Sequence, residues 1–96
     1  MCEFKIIKQN DGSQILEDIL VISYSENNEL LFKDVLGMGE SLESALIREV
    51  NTLNQKCIIV EHPIIKQFLV LLDKITTKEL YKKDIESFCE ELQNCL

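Results

Sequence analysis

The sequence predicts an α+β fold: a small five-stranded antiparallel β-barrel or curled sheet, followed by two C-terminal α-helices. Three observations carry this expectation. Up to residue 62, short runs rich in Ile, Val, Leu and Phe alternate with turn-forming clusters such as Asn10-Asp11-Gly12-Ser13. Runs of that kind read as strands joined by tight turns. From Pro63 onward the apolar residues recur three and four apart, the period of a helix. The change falls at His62-Pro63. It divides the chain into an expected β domain, residues 1–62, and a two-helix extension, residues 63–96, packed on the barrel or on a dimer mate.

Each element follows from local chemistry. Residues 3–8 set Phe4, Ile6 and Ile7 against Lys5 and Lys8, a strand with one wet face. Asp11-Gly12 tolerates positive φ, so a hairpin follows. Residues 15–25 read as one longer strand bent at Glu17-Asp18, and residues 30–36 as a third that Gly37-Met38-Gly39 breaks. Residues 44–51 and 56–61 are the fourth and fifth, joined by a turn over 51–55. Strands in this order suit an SH3/Sm-like barrel.

Pro63 stands at a first helical position, where its fixed φ is preorganised. Ile64, Ile65, Phe68, Leu69, Leu71, Leu72 and Ile75 make residues 63–75 a helix that must be buried against the sheet or a second chain. Thr76 and Glu79 have the spacing of a capping box, so a second helix is expected over 77–94. Its stripe is Tyr81, Ile85, Phe88, Leu92 and Cys95.

The bulk composition narrows the function. A chain of 96 residues holds one core. Acidic residues outnumber basic ones 17 to 10, and residues 1–62 carry eleven acidic against five basic, so the β unit holds −6 of the net −7. Nucleic-acid binders need a positive footprint to displace counterions, so that class is disfavoured. No apolar run reaches the roughly 18 residues of a membrane span, and Glu3 interrupts any signal-peptide pattern, so a cytoplasmic protein is expected.

No enzyme chemistry is legible. The serines have no histidine base at a readable spacing, and no Lys-Ser or Lys-Thr follows Gly37-Met38-Gly39. Asp34 and Glu17-Asp18 read as turn and bend formers, and His62, the single histidine, as a cap or surface residue. The four cysteines contain no C-x-x-C pair. Cys57 and Cys89 read as small packed hydrophobes and Cys95 as part of a fraying end. Cys2 alone sits where a thiol has special chemistry.

Several stretches together resemble the CooT-like family of small nickel-binding proteins, also described as predicted RNA-binding proteins. They are Met1-Cys2 opening the first strand, the Asp11-Gly12 hairpin, and Glu17-Asp18-Ile19-Leu20-Val21. Phe32-Lys33-Asp34-Val35-Leu36-Gly37 and Ile47-Arg48-Glu49-Val50-Asn51 follow, and then Asn54 leading into Ile58-Ile59-Val60-Glu61. The likeness covers residues 1–61. It implies a barrel-like subunit in a homodimer, with Cys2 of each protomer meeting around one Ni(II). It also implies a client in the carbon monoxide dehydrogenase pathway. Residues 62–96 depart from the short members of that family.

The residues themselves make the same chemistry workable. A terminal amine, a deprotonated amide nitrogen and a thiolate form fused chelate rings around a square-planar ion, and Met1 with Cys2 supplies all three. Without Met1, the amine and thiolate of Cys2 remain as a two-donor chelate, and a two-fold axis completes four donors. The expected protein is thus a non-enzymatic nickel carrier with metal ligands Cys2 and Met1. The alternative is a small-barrel RNA- or protein-binding module with no metal, in which Cys2 is incidental.

Overall fold

Seven strands precede two helices in the computed structural model, which describes residues 3–96. They are β1 (Phe4–Lys8), β2 (Ser13–Ile19), β3 (Val21–Tyr24), β4 (Leu30–Lys33), β5 (Gly39–Leu42), β6 (Ala45–Asn51) and β7 (Lys56–Glu61), then α1 (Pro63–Thr76) and α2 (Lys82–Gln93). Four strands form one sheet in the order β2-β1-β7-β6, and three form another in the order β3-β4-β5. The mixed α+β content and the paired C-terminal helices are as expected. The expected five-stranded barrel is corrected to seven strands in two sheets that do not close. Nor is the pairing wholly antiparallel, because β1 runs parallel to β7, Lys5 to Lys8 lying beside Lys56 to Ile59.

The extra strands have local causes. The expected strand over 15–25 divides because exposed Asp18 takes φ 59°, a left-handed conformation. This turns the chain from one sheet into the other. Leu20 belongs to neither strand, yet its N–H still donates to the carbonyl of Lys33 at 2.8 Å. The expected strand over 30–36 stops at Lys33. There Asp34 accepts from the N–H groups of Leu36 at 2.9 Å and Met38 at 3.1 Å, and Gly37 at φ 78° completes the turn.

Strand β5 is absent from the sequence reading, because Gly-Met-Gly looks like a breaker. It forms because Gly39 lies against β4, where any Cβ would run into the carbonyl of Phe32. A glycine permits the close backbone approach that pairs the strand.

The core lies between the two sheets. Ile6, Ile19, Leu30, Phe32, Ala45, Cys57 and Ile59 are buried, with Phe4, Ile15, Leu16, Ile22, Leu42 and Ile47 packed around them. Tyr24 ties the sheets together across their far end. Its hydroxyl donates to the carbonyl of Ala45 at 2.9 Å and accepts from the N–H of Ile47 at 3.3 Å.

Neither helix contributes a buried residue, so of the two expected covers for the first helix, the sheet or a second chain, the sheet does not bury it. The capping box also moves. Thr76 lies in the last turn of α1, where its hydroxyl donates to the carbonyl of Asp73. Lys78, at φ 61°, closes α1 in a Schellman arrangement, with Glu79 N–H donating to Lys74 and Lys78 N–H to Ile75. The second helix starts at Lys82 instead of 77. The Asp84 carboxylate accepts from the Tyr81 N–H at 2.9 Å and from the Lys74 ammonium at 2.8 Å.

Replacing Gly39 with Ala should destabilise the protein by about 1–3 kcal/mol, the range for inserted atoms that force the backbone to shift. Urea unfolding measures this, and an unchanged midpoint contradicts the close approach. The Lys74 hydrogen bond first, and then the Tyr81 N–H, hold the Asp84 carboxyl below its ordinary 3.8. A lowered carboxyl stabilises the fold above that ordinary value, and the effect is lost as pH falls through the folded-state value. Asp84→Asn should therefore lower the melting temperature near neutral pH, and the gap from the parent should close in acid.

Candidate metal centre at the amino end

The sequence-derived ligands Met1 and Cys2 lie outside the described residues. The surroundings into which they lead are well defined. Phe4, the first residue of β1, pairs with Ile19 at the end of β2, and the Lys5 N–H donates to the carbonyl of Gln55 at 2.9 Å. The amino end is thus set between the β2–β3 step and the β6–β7 turn. The Leu20–Lys33 hydrogen bond brings the β4–β5 turn to the same end of the strands.

Both turns are held by side chains. Asp34 organises Val35 to Met38, with its own N–H donating to the Met38 carbonyl at 2.7 Å. Asn51 accepts from the Asn54 N–H at 3.0 Å, and Gln55 takes φ 54°. These polar anchors leave large apolar side chains pointing outward. Leu36 is 78% exposed, Met38 68% and Leu53 94%, with Val35, Val21 and Val50 also exposed at this end. The sequence reading missed this group, since it placed Val35 and Leu36 in a strand. The available signal was three large apolar residues in a turn that Asp34 pins. Lys5 and Lys56, paired across β1 and β7, supply ionisable groups at this end.

The other candidates are elsewhere. His62 caps α1, as the sequence suggested: its Nδ1 accepts from the Ile64 N–H at 3.1 Å and its carbonyl accepts from the Ile65 N–H at 3.1 Å. Ser44 completes the cap by accepting from the Lys66 N–H at 2.9 Å and donating to the His62 carbonyl. Because β1 and β7 are parallel, His62 stands at the end of the sheet opposite the start of β1. Among the described residues, no group of three or more His, Cys, Asp or Glu side chains is placed to hold a metal.

The cysteines separate by burial. Cys57 is buried in β7, and burial pushes its thiol above the ordinary 9.0, so it is held as an inert thiol. Cys89 is exposed, which corrects the expectation that it packs. Helix α1 meets α2 through Phe88 and Asp84 and leaves the Cys89 side uncovered. Cys95 is exposed near the end of the chain, its thiol donating to the Glu91 carbonyl.

The family described as CO dehydrogenase accessory protein CooT matches residues 1–60. The chain belongs to the CooT family. No curated protein matches it. CooT is a family of accessory proteins rather than enzymes. The CooT match stops three residues before α1 begins, so it takes in both sheets and neither helix. No described helix is long and apolar enough to cross a membrane.

Brief alkylation of the native protein should label Cys89 and Cys95 and spare Cys57 until the chain is unfolded. Mass mapping reads this directly, and fast labelling of Cys57 contradicts its burial.

Proposed function

We propose that this CooT-family chain is a nickel-binding accessory protein that delivers Ni(II) to a client such as carbon monoxide dehydrogenase. Cys2 of each chain supplies the thiolate, and nitrogen donors at the chain start fill the remaining two positions of a four-donor plane. Two copies meet at their amino ends, and a two-fold axis brings the second set of donors. Residues 1–62 act as the metal-handling unit and residues 63–96 as a separate extension.

One observation supports this reading above the others. Among the described residues, six of the eight exposed large apolar side chains of the β unit, Val21, Val35, Leu36, Met38, Val50 and Leu53, lie at the pole where β1 begins, with Tyr24 and Leu46 at the other. Exposed apolar groups on rigid turns are contact surface, and a carrier with one ligand cysteine per chain needs a second chain to bring its own. The acidic charge of the unit adds a second point. Two copies each carrying −6 in residues 1–62 repel, and a divalent cation between them offsets that repulsion. The same acidity disfavours RNA as the ligand.

Titration with Ni(II) should produce a thiolate-to-nickel charge-transfer band that saturates at one ion per two chains. Cys2→Ser should lose that band and bind nickel more weakly, with the fold unchanged by circular dichroism. If the variant keeps both band and affinity, the ligand is another group and the reading fails.

A further inference from the structure

The two helices stand outside everything assigned so far, and their surface is unfinished. Over α1 and α2 together, not one residue is buried. The helices touch along one seam, where the rings of Phe68 and Phe88 lie 6.2 Å apart at a tilt of 49° and Lys74 pairs with Asp84. Beside that seam each helix keeps an apolar row at helical spacing. On α1 the row is Phe68, Leu72 and Ile75, and on α2 it is Ile85, Cys89 and Leu92. The five aliphatic and aromatic members are each between 41% and 48% exposed. Their positions relative to the seam put both rows on the same side of the hairpin, so they make one continuous face.

The molecule is drawn out by this hairpin. Its radius of gyration is 15.3 Å, against about 12.5 Å for a compact chain of this length. Apolar faces of this kind are contact sites.

Charge indicates what covers the face. Residues 1–62 carry −6, whereas 63–96 carry five basic and six acidic residues and are nearly neutral. Two copies therefore approach through their hairpins without the repulsion that their β units impose. Within the hairpin the helices are of opposite sign. Helix α1 holds Lys66 and Lys74 against Asp73, while α2 holds Asp84, Glu86, Glu90 and Glu91 against Lys82 and Lys83. A two-fold axis along the hairpin sets α1 of one copy antiparallel to α2 of the other. The helix of net positive charge in one copy then lies against the helix of net negative charge in the other.

We infer that residues 63–96 are a second self-association surface, in which two hairpins form an antiparallel four-helix bundle at the pole opposite the amino terminus. The interface is isologous and needs no metal. It is distinct from the amino-end pairing proposed above and does not depend on it. With both contacts in place, Ni(II) joins dimers already made through their helices into larger assemblies.

The test is the molar mass of the full chain by light scattering, with a chelator present. The expected value is twice the 11.1 kDa of one chain, unchanged by Cys2→Ser. A monomer at about 100 μM, well above the dissociation constants of specific contacts, overturns the inference. A dimer that Cys2→Ser dissolves also overturns it, and assigns association to the amino end. Two variants locate the contact, with circular dichroism as the check on folding. Ile85→Glu with Leu92→Glu on α2, and Leu72→Lys with Ile75→Lys on α1, should each give monomers. Mixing the two should restore a one-to-one dimer, because acid then faces base across the α1–α2 contact. Two folded variants that stay monomeric when mixed, or that dimerise alone, overturn the arrangement.

Discussion

The parallel pairing of β1 with β7 is the constraint on which the rest of the molecule depends. Antiparallel neighbours are joined by tight turns, and a strand that follows such a route returns to where it began. A parallel partner does not: β7 must start where β1 starts and finish where β1 finishes. The amino terminus and the helices are therefore sent to opposite poles. Ile6, Cys57 and Ile59 lie in these two central strands and are fully buried, so the same pairing also sets the middle of the core. Asn10 locks the far end by clasping Glu61 through two hydrogen bonds, at 2.9 and 3.0 Å.

That separation gives each pole its own chemistry. At the amino pole, polar side chains are consumed inside turns, as Asp34 and Asn51 show, and apolar ones are turned outward. At the helical pole the polar groups are consumed in capping, with His62 and Ser44 taking the first free N–H groups of α1. Thus the only histidine is a structural residue. These polar groups are thus occupied within the fold, and apolar surface is exposed at each pole. The CooT match takes in the first pole and stops before the second, which places the helical hairpin in the position of an addition to a shared unit.

Much of this was legible in the sequence, and the failures have physical causes. Helix α1 was read to within one residue, because Pro63 fixes its start and the apolar spacing is dense. Strands β6 and β7 were read with their turn, because Asn51 and Asn54 are strong turn formers. The division of residues 15–25 was half seen. The acidic pair marked a bend, but nothing in a sequence says that Asp18 accepts φ 59° and moves the chain to another sheet. Strand β5 was hidden because Gly39 serves close approach instead of breaking the strand. The start of α2 was misplaced by a capping signal at Thr76 that lost to the true pair Tyr81 and Asp84. The parallel pairing left no local trace, since it depends on residues about fifty positions apart. The exposed turn side chains are likewise a property of the fold, not of any one segment.

The proposed nickel site takes sulfur from two chains, and X-ray absorption at the nickel edge tests it most directly. The loaded protein should show two sulfur neighbours per nickel together with nitrogen donors, and Cys2→Ser should show none of the sulfur. A first shell made of oxygen and nitrogen alone in the parent protein, identical to that of the variant, would contradict it.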